Sequence, residues 1–113
     1  MADEPMVQMS VSSTEATRGG SPAWVVSPKG TVDLATAERL TDQLNEVIGS
    51  GATMIVLDLG EVEFLDSSGI RVIVHAAREM EEREGKLLVE NASGATQRVL
   101  EVTGILEQLR AQS

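Results

Sequence analysis

The sequence predicts an α/β domain, a single small mixed sheet with parallel strands and crossover helices packed against it. Three observations lead there. Short runs, apolar and β-branched at 53–59 and apolar at the centre of 86–90, alternate with longer stretches whose apolar residues recur at helical spacing. Glycine stops, Gly49-Ser50-Gly51 and Gly85, separate the two kinds of segment. Strands that alternate with helices pair in parallel through crossovers. At 113 residues, 42% of them hydrophobic, the chain suits one core and one domain over 1–113, with 1–5 as a flexible start.

Taken in order, Met6 to Val11 alternates apolar and polar residues, as a half-buried strand does. Residues 12–22, SSTEATRGGSP, read as a turn-rich hairpin loop, and Ala23 to Thr31 as a second strand. Pro28 has no N–H to give a ladder, so that strand is expected to bulge there or to lie at an edge. A helix follows, capped by Asp33 or Thr36, with Ala37, Leu40, Leu44, Val47 and Ile48 on one face. Thr53 to Leu59 is a buried strand, and Gly60-Glu61-Val62-Glu63 a turn. Ser67 to Glu84 is a helix, because only Gly69 near its start interrupts it. Its expected core face is Ile70, Ile73, Val74, Ala77 and Met80, with Arg71, His75, Arg78 and Glu82 on a polar face. Gly85 stops it and Lys86 to Glu90 is a strand. Ser93 can cap a last helix bearing Val99 and Val102, closed by Gly104, and Ile105 to Leu109 is expected to pack as a final strand or short segment.

Composition excludes several function classes. The formal charge is −9, which disfavours phosphate backbones and so nucleic acid. Trp24 and Phe64 are the only aromatics, too few for a base-stacking platform. There is no cysteine, no cluster of His, Asp and Glu at metal-ligand spacing and no phosphate-binding loop, so neither metal nor cofactor is expected. No apolar run approaches the roughly 20 residues of a membrane span, and the N-terminus lacks a secretory pattern, which makes a cytoplasmic protein the expectation.

One polar stretch stands out. Phe64-Leu65-Asp66-Ser67-Ser68-Gly69-Ile70 joins an apolar strand to a helix. Asp66 suits the N-cap, which leaves the Ser67 hydroxyl in the first turn, where unpaired N–H groups and the helix dipole favour negative charge. A phosphoryl group there would add about −1.5 to −2 charge in a place that tolerates it. Gly69 leaves little side chain, which would let a partner approach closely. The same residues also make an ordinary capped helix start. A serine hydrolase reading fails: Leu65 and Gly69 do not frame Ser67 as G-x-S-x-G, and His75, the only histidine, sits two turns along the same helix. No catalytic residue is assigned, and the chain reads as a non-enzyme.

Residues 55–70, IVLDLGEVEFLDSSGI, resemble the signature of the STAS domain, specifically the bacterial anti-sigma factor antagonists: an apolar strand, then D/N-L-x-x-V-x-F/Y, a hydrophobic residue, D-S-S/T-G and a helix. Gly30-Thr31-Val32-Asp33 with Ala37-Glu38-Arg39-Leu40, and Thr103-Gly104-Ile105, resemble the flanking motifs. The likeness spans roughly residues 6–108. It implies a partner switch, in which the antagonist binds an anti-sigma factor that is also a serine kinase and so frees a sigma factor. The kinase phosphorylates the serine after the motif aspartate, here Ser67 with Ser68 as the alternative, and a serine phosphatase restores the active form. The partner surface implied is Asp33, Asp66, Ser67, Ser68, Gly69 and Arg71. Arg71 stands where phosphorylated members often carry a small residue, which implies a different fit on the helix's outer face. Pro28 interrupts a strand that is usually continuous, and the chain stops at Ser113, short of the final strand and helix of longer members. The alternative within the family is an unphosphorylated scaffold module, in a stress-signalling complex or a lipid-transport ABC system.

Overall fold

A computed structural model describes residues 9–92. The expected last helix and final segment, with the Thr103-Gly104-Ile105 motif, lie outside the described residues, as do the flexible start and the first residues of the opening strand. The described chain runs β1 (Met9–Arg18), β2 (Ser21–Val32), α1 (Ala37–Gly49), β3 (Met54–Asp58), β4 (Glu61–Leu65), α2 (Ser67–Glu82) and β5 (Lys86–Glu90). These form one mixed sheet in the order β1-β2-β3-β5, with β4 also paired to β2. The β1–β2 pair is antiparallel and the others are parallel.

The segment expected to be a loop at 12–22 is mostly strand. β1 continues to Arg18, opposite Ser21, and only Gly19 and Gly20 turn, both at positive φ (58° and 85°). Two such residues make the tight hairpin whose twist matches its strands, so the polar Ser and Thr residues before them have no loop to fill. Pro28 is not at an edge either, since β2 has β1 on one side and β3 and β4 on the other. It falls where β2 passes from one parallel partner to the next: β3 pairs with Trp24–Val26 and β4 with Lys29–Val32. The missing N–H therefore interrupts neither parallel ladder.

β4 is the largest departure from expectation. Beyond β3 the chain kinks at Leu59-Gly60, held by Leu59 N–H to the Glu90 carbonyl (2.9 Å) and Val62 N–H to the Leu59 carbonyl (3.1 Å). It then continues alongside β2 in the same direction. From Val26↔Leu57 to Lys29↔Glu61 the β3–β4 side spends one residue more than β2, and from Gly30↔Val62 to Thr31↔Phe64 another, at a bulge. The segment expected to be a turn is thus a bulged extension of the same edge.

Both crossovers, β2 to β3 and β4 to β5, step the same way along the sheet, so helices of the same hand lie on one face. There α1 packs on β1 and β2, α2 on β4 and β5, and the helices touch each other. The expected core face of α1 is borne out: Ala37, Leu40, Leu44, Val47 and Ile48 are all buried. The face of α2 is turned from the expected one. Gly69, Ile73, Ala76, Ala77 and Met80 are buried, whereas Ile70 and Val74 are half-exposed, and Arg71, His75, Arg78 and Glu82 are exposed as expected. Small residues at 69, 76 and 77 let α2 approach closely, and that side becomes the inner one. In β3, Ile55, Val56 and Leu57 are all fully buried, as in a central parallel strand. No helix of the described residues is long and apolar enough to cross a membrane.

The glycine at 85, just after α2, is required by close packing at the start of β3. Glu84 takes the left-handed conformation (φ 64°), while at Gly85 a Cβ would lie 2.8 Å from the Thr53 carbonyl oxygen, a backbone atom that cannot step aside. Gly49, the last residue of α1, has nothing within 4 Å of such a Cβ. Gly85→Ala is therefore expected to destabilise the fold by about 1–3 kcal/mol. Gly49→Ala is expected to stabilise it by roughly 0.5–1 kcal/mol. Urea unfolding midpoints of the two variants, with m unchanged, check both signs.

Candidate functional site

Two strand ends build the site. Val32, the last residue of β2, pairs with Leu65, the last of β4, and the Asp66 N–H donates to the Val32 carbonyl at 3.1 Å. Asp33 and Asp66 thus leave the sheet from neighbouring strand ends, each closing the turn that starts the next helix.

On the β2 side, Asp33 Oδ1 accepts from the backbone N–H groups of Ala35 (3.0 Å) and Thr36 (3.2 Å). The Thr36 hydroxyl donates to the Thr31 carbonyl (2.7 Å) and accepts from the Asp33 N–H (2.9 Å). Thr36 is the one buried polar side chain among the described residues, and these bonds satisfy it. The expectation that Asp33 or Thr36 caps α1 needs refining. Thr36 holds the N-cap position but makes no side-chain bond to the helix, and Asp33 caps the turn before it. Leu34 sits at the tip of that turn and is 81% exposed.

On the β4 side, Asp66 is the N-cap of α2, as expected. Its Oδ1 accepts from Ser68 N–H (2.8 Å) and Gly69 N–H (3.3 Å). Ser67 is exposed in the first turn, and among the described residues its hydroxyl makes no hydrogen bond. Ser68 is half-buried, so of the two hydroxyls Ser67 is the more accessible. Arg71 is exposed one turn further along.

Gly69 does something other than expected. It is buried, and a Cβ there would collide with the Leu65 side chain and lie 2.8 Å from Val32 Cγ1. Its bare side faces the sheet, so the missing side chain lets α2 sit down on β2 and β4 rather than opening space for a partner. His75 lies two turns from Ser67 on the exposed side of α2.

Sequence reasoning missed the apolar part of the site. Phe64, 50% exposed, and Leu34 are the exposed large hydrophobic residues of the described chain, and they stand on the two strand ends that carry Asp66 and Asp33. Strict alternation puts Phe64 on the face of Val62. The bulge shifts the phase by one residue, so Val62 and Leu65 pack inward and Phe64 turns out. What the site offers is a hydroxyl, two carboxylates that each have one oxygen bonded by backbone N–H groups, and two apolar side chains. That suits recognition by a protein surface better than chemistry on a small molecule.

The family model described as STAS domain matches residues 15–112 of the chain. An anti-sigma-F factor antagonist, RsfB, from Mycobacterium tuberculosis is 33% identical over 86 residues, covering 76% of this chain and 70% of its own. The crystal structure of an anti-sigma factor antagonist from Mycobacterium paratuberculosis is similar with a TM-score of 0.75 at 27% identity, covering 88% of this chain and 83% of that one. The Bacillus cell fate determinant SpoIIAA in its phosphorylated form is similar with a TM-score of 0.68 at 25% identity, covering 88% and 87%.

The two bonds at Asp66 make it the anchor of the helix start. Asp66→Ala is expected to lower stability by about 1 kcal/mol, and Asp66→Asn, which keeps an acceptor oxygen, by much less. Thermal unfolding of the three proteins at one pH measures the difference.

Proposed function

The chain belongs to the STAS domain family, and on that premise we propose that it is an anti-sigma factor antagonist switched off by phosphorylation of Ser67. In this reading the unphosphorylated chain binds an anti-sigma factor and so releases a sigma factor. The anti-sigma factor is itself a serine kinase that transfers the γ-phosphoryl group of ATP to Ser67 Oγ, releasing ADP and the hydroxyl proton. A serine phosphatase reverses the transfer. The chain contributes a docking surface and an acceptor hydroxyl, not a catalytic group.

The observation that carries this reading is Ser67 itself, an exposed hydroxyl, without a hydrogen bond among the described residues, in the first turn of a helix whose cap is already occupied by Asp66. The names of the relatives support the antagonist role, and a family structure in phosphorylated form supports a phosphorylated state for the fold. The first turn of α2 tolerates a dianion, because its N–H groups and dipole favour negative charge. The partner interface does not. With Asp66 and Asp33 at the adjoining strand ends, a phosphoryl group adds like charge and a desolvation cost in the middle of the contact. Leu34 and Phe64 supply apolar anchors beside it; burial of Leu34 can contribute about 1.5–3 kcal/mol, and burial of the exposed half of Phe64 about half as much. No rearrangement of the sheet is required.

Calorimetric titration with the host's anti-sigma factor tests this directly. Ser67→Ala is expected to bind as the parent does, whereas the chain phosphorylated on Ser67 loses about 3 kcal/mol, over a hundredfold in affinity. Equal affinity of the phosphorylated and unphosphorylated chains contradicts the switch. Leu34→Asp and Phe64→Asp are each expected to weaken binding at least about tenfold with the melting temperature little changed, because both side chains are exposed.

A further inference from the structure

In a chain of 18 acidic and 9 basic residues, Arg71 is a cation that has no counter-ion among the described residues. Along α2 its neighbours three and four residues away are Ser67, Ser68, Val74 and His75, and none is a carboxylate. Across the groove between the helices it faces Thr41, Leu44 and Asn45 of α1, again without a carboxylate. The Asp66 carboxylate next to the serines is engaged by the N–H groups of Ser68 and Gly69. Among the described residues Arg71 makes no ion pair, whereas Arg83 of the same helical segment pairs with Glu79 four residues earlier. Among these neighbours along α2 and across the groove, the groups that can become anionic are the hydroxyls of Ser67 and Ser68.

We propose that Arg71 is the intramolecular counter-ion of a phosphoryl group on Ser67, holding it against the first turns of α2. This rests on Ser67 as the phosphorylated residue. Residues four apart are neighbours on a helix surface, and side chains lean toward the helix N-terminus, so Arg71 leans toward Ser67 rather than away. A guanidinium matches a phosphoryl group with two parallel N–H donors, which a lysine cannot do. Ser68 is three residues from Arg71 and within the same fan, but it is half-buried and its N–H is bound to Asp66. The pairing leaves the switch intact. The added bulk and the remaining negative charge stay in the interface, and Arg71 is drawn out of any contact it makes with the partner when Ser67 is unmodified.

The test uses the full chain with phosphoserine installed at position 67 during translation. Phosphorus NMR then follows the second ionisation of the phosphoryl group with pH. The charged groups at the ends of the elements that adjoin the start of α2 are Asp33 and Glu38 at the start of α1, Glu63 and Asp66 on β4 and just after it, and Arg71 on α2 itself, with His75 two turns along. Arg71→Gln is expected to raise the midpoint by about half a unit, the scale of an exposed ion pair. Arg71→Lys raises it less, and 1 M salt shrinks the difference. Arg78→Gln, which removes an equal charge from the same polar face three turns from Ser67, leaves the midpoint where it was. An unchanged midpoint in Arg71→Gln overturns the proposal, and so does an equal rise in Arg78→Gln. A partner that binds the phosphorylated chain unimpaired defeats the switch reading and leaves this titration standing.

Discussion

The site depends on the pairing of two strand ends, β2 at Val32 and β4 at Leu65, sealed by the hydrogen bond from Asp66 N–H to the Val32 carbonyl. Were the chain to leave the sheet at Gly60, α2 would start some distance short of the Asp33 turn. Instead the edge continues past β3 with two extra residues, and the second of them turns Phe64 outward. The same pairing explains Gly69: helix α2 begins directly over Val32 and Leu65, and no side chain fits between. Close packing turns a local bulge into a fixed position for Ser67.

Charge is distributed to match. The chain is strongly acidic, yet each carboxylate at the site has one oxygen engaged with backbone N–H groups, and Arg71, one turn from Ser67, makes no ion pair among the described residues. A small anion added at Ser67 therefore changes the local balance more than it would on a surface already crowded with ion pairs. The fold is indifferent to that change, because Ser67 supports no buried contact. Stability and regulation can then vary independently: Asp66, Gly69 and Thr36 hold the structure, while Ser67, Leu34 and Phe64 face outward.

Much of this was legible in the sequence. The spacing of Ala37, Leu40, Leu44, Val47 and Ile48 identified the buried face of α1, because nothing interrupts its helical period. The cap at Asp66 followed from residue type and position. The core face of α2 came out turned, since Ile70 and Val74 outweigh Gly69 and Ala76 in any apolar pattern, yet small residues decide which side approaches a sheet closely. β1 runs past its expected end because its Ser and Thr residues carry no apolar alternation, and the Gly19-Gly20 pair is the one signal in that stretch that marks where it turns. β4 was hidden by its bulge. A one-residue phase shift erases the period of two, so Glu61 to Leu65 looked like a turn and Phe64 like one more apolar motif residue.

The most direct measurement is intact mass with site mapping on the chain isolated from its own host, before and after phosphatase treatment and across growth conditions. The expected result is one removable phosphate, on Ser67, whose occupancy changes with conditions. A phosphate confined to other residues, or none under any condition, would contradict the account and leave Asp66-Ser67-Ser68-Gly69 as a capped helix start within a static docking surface.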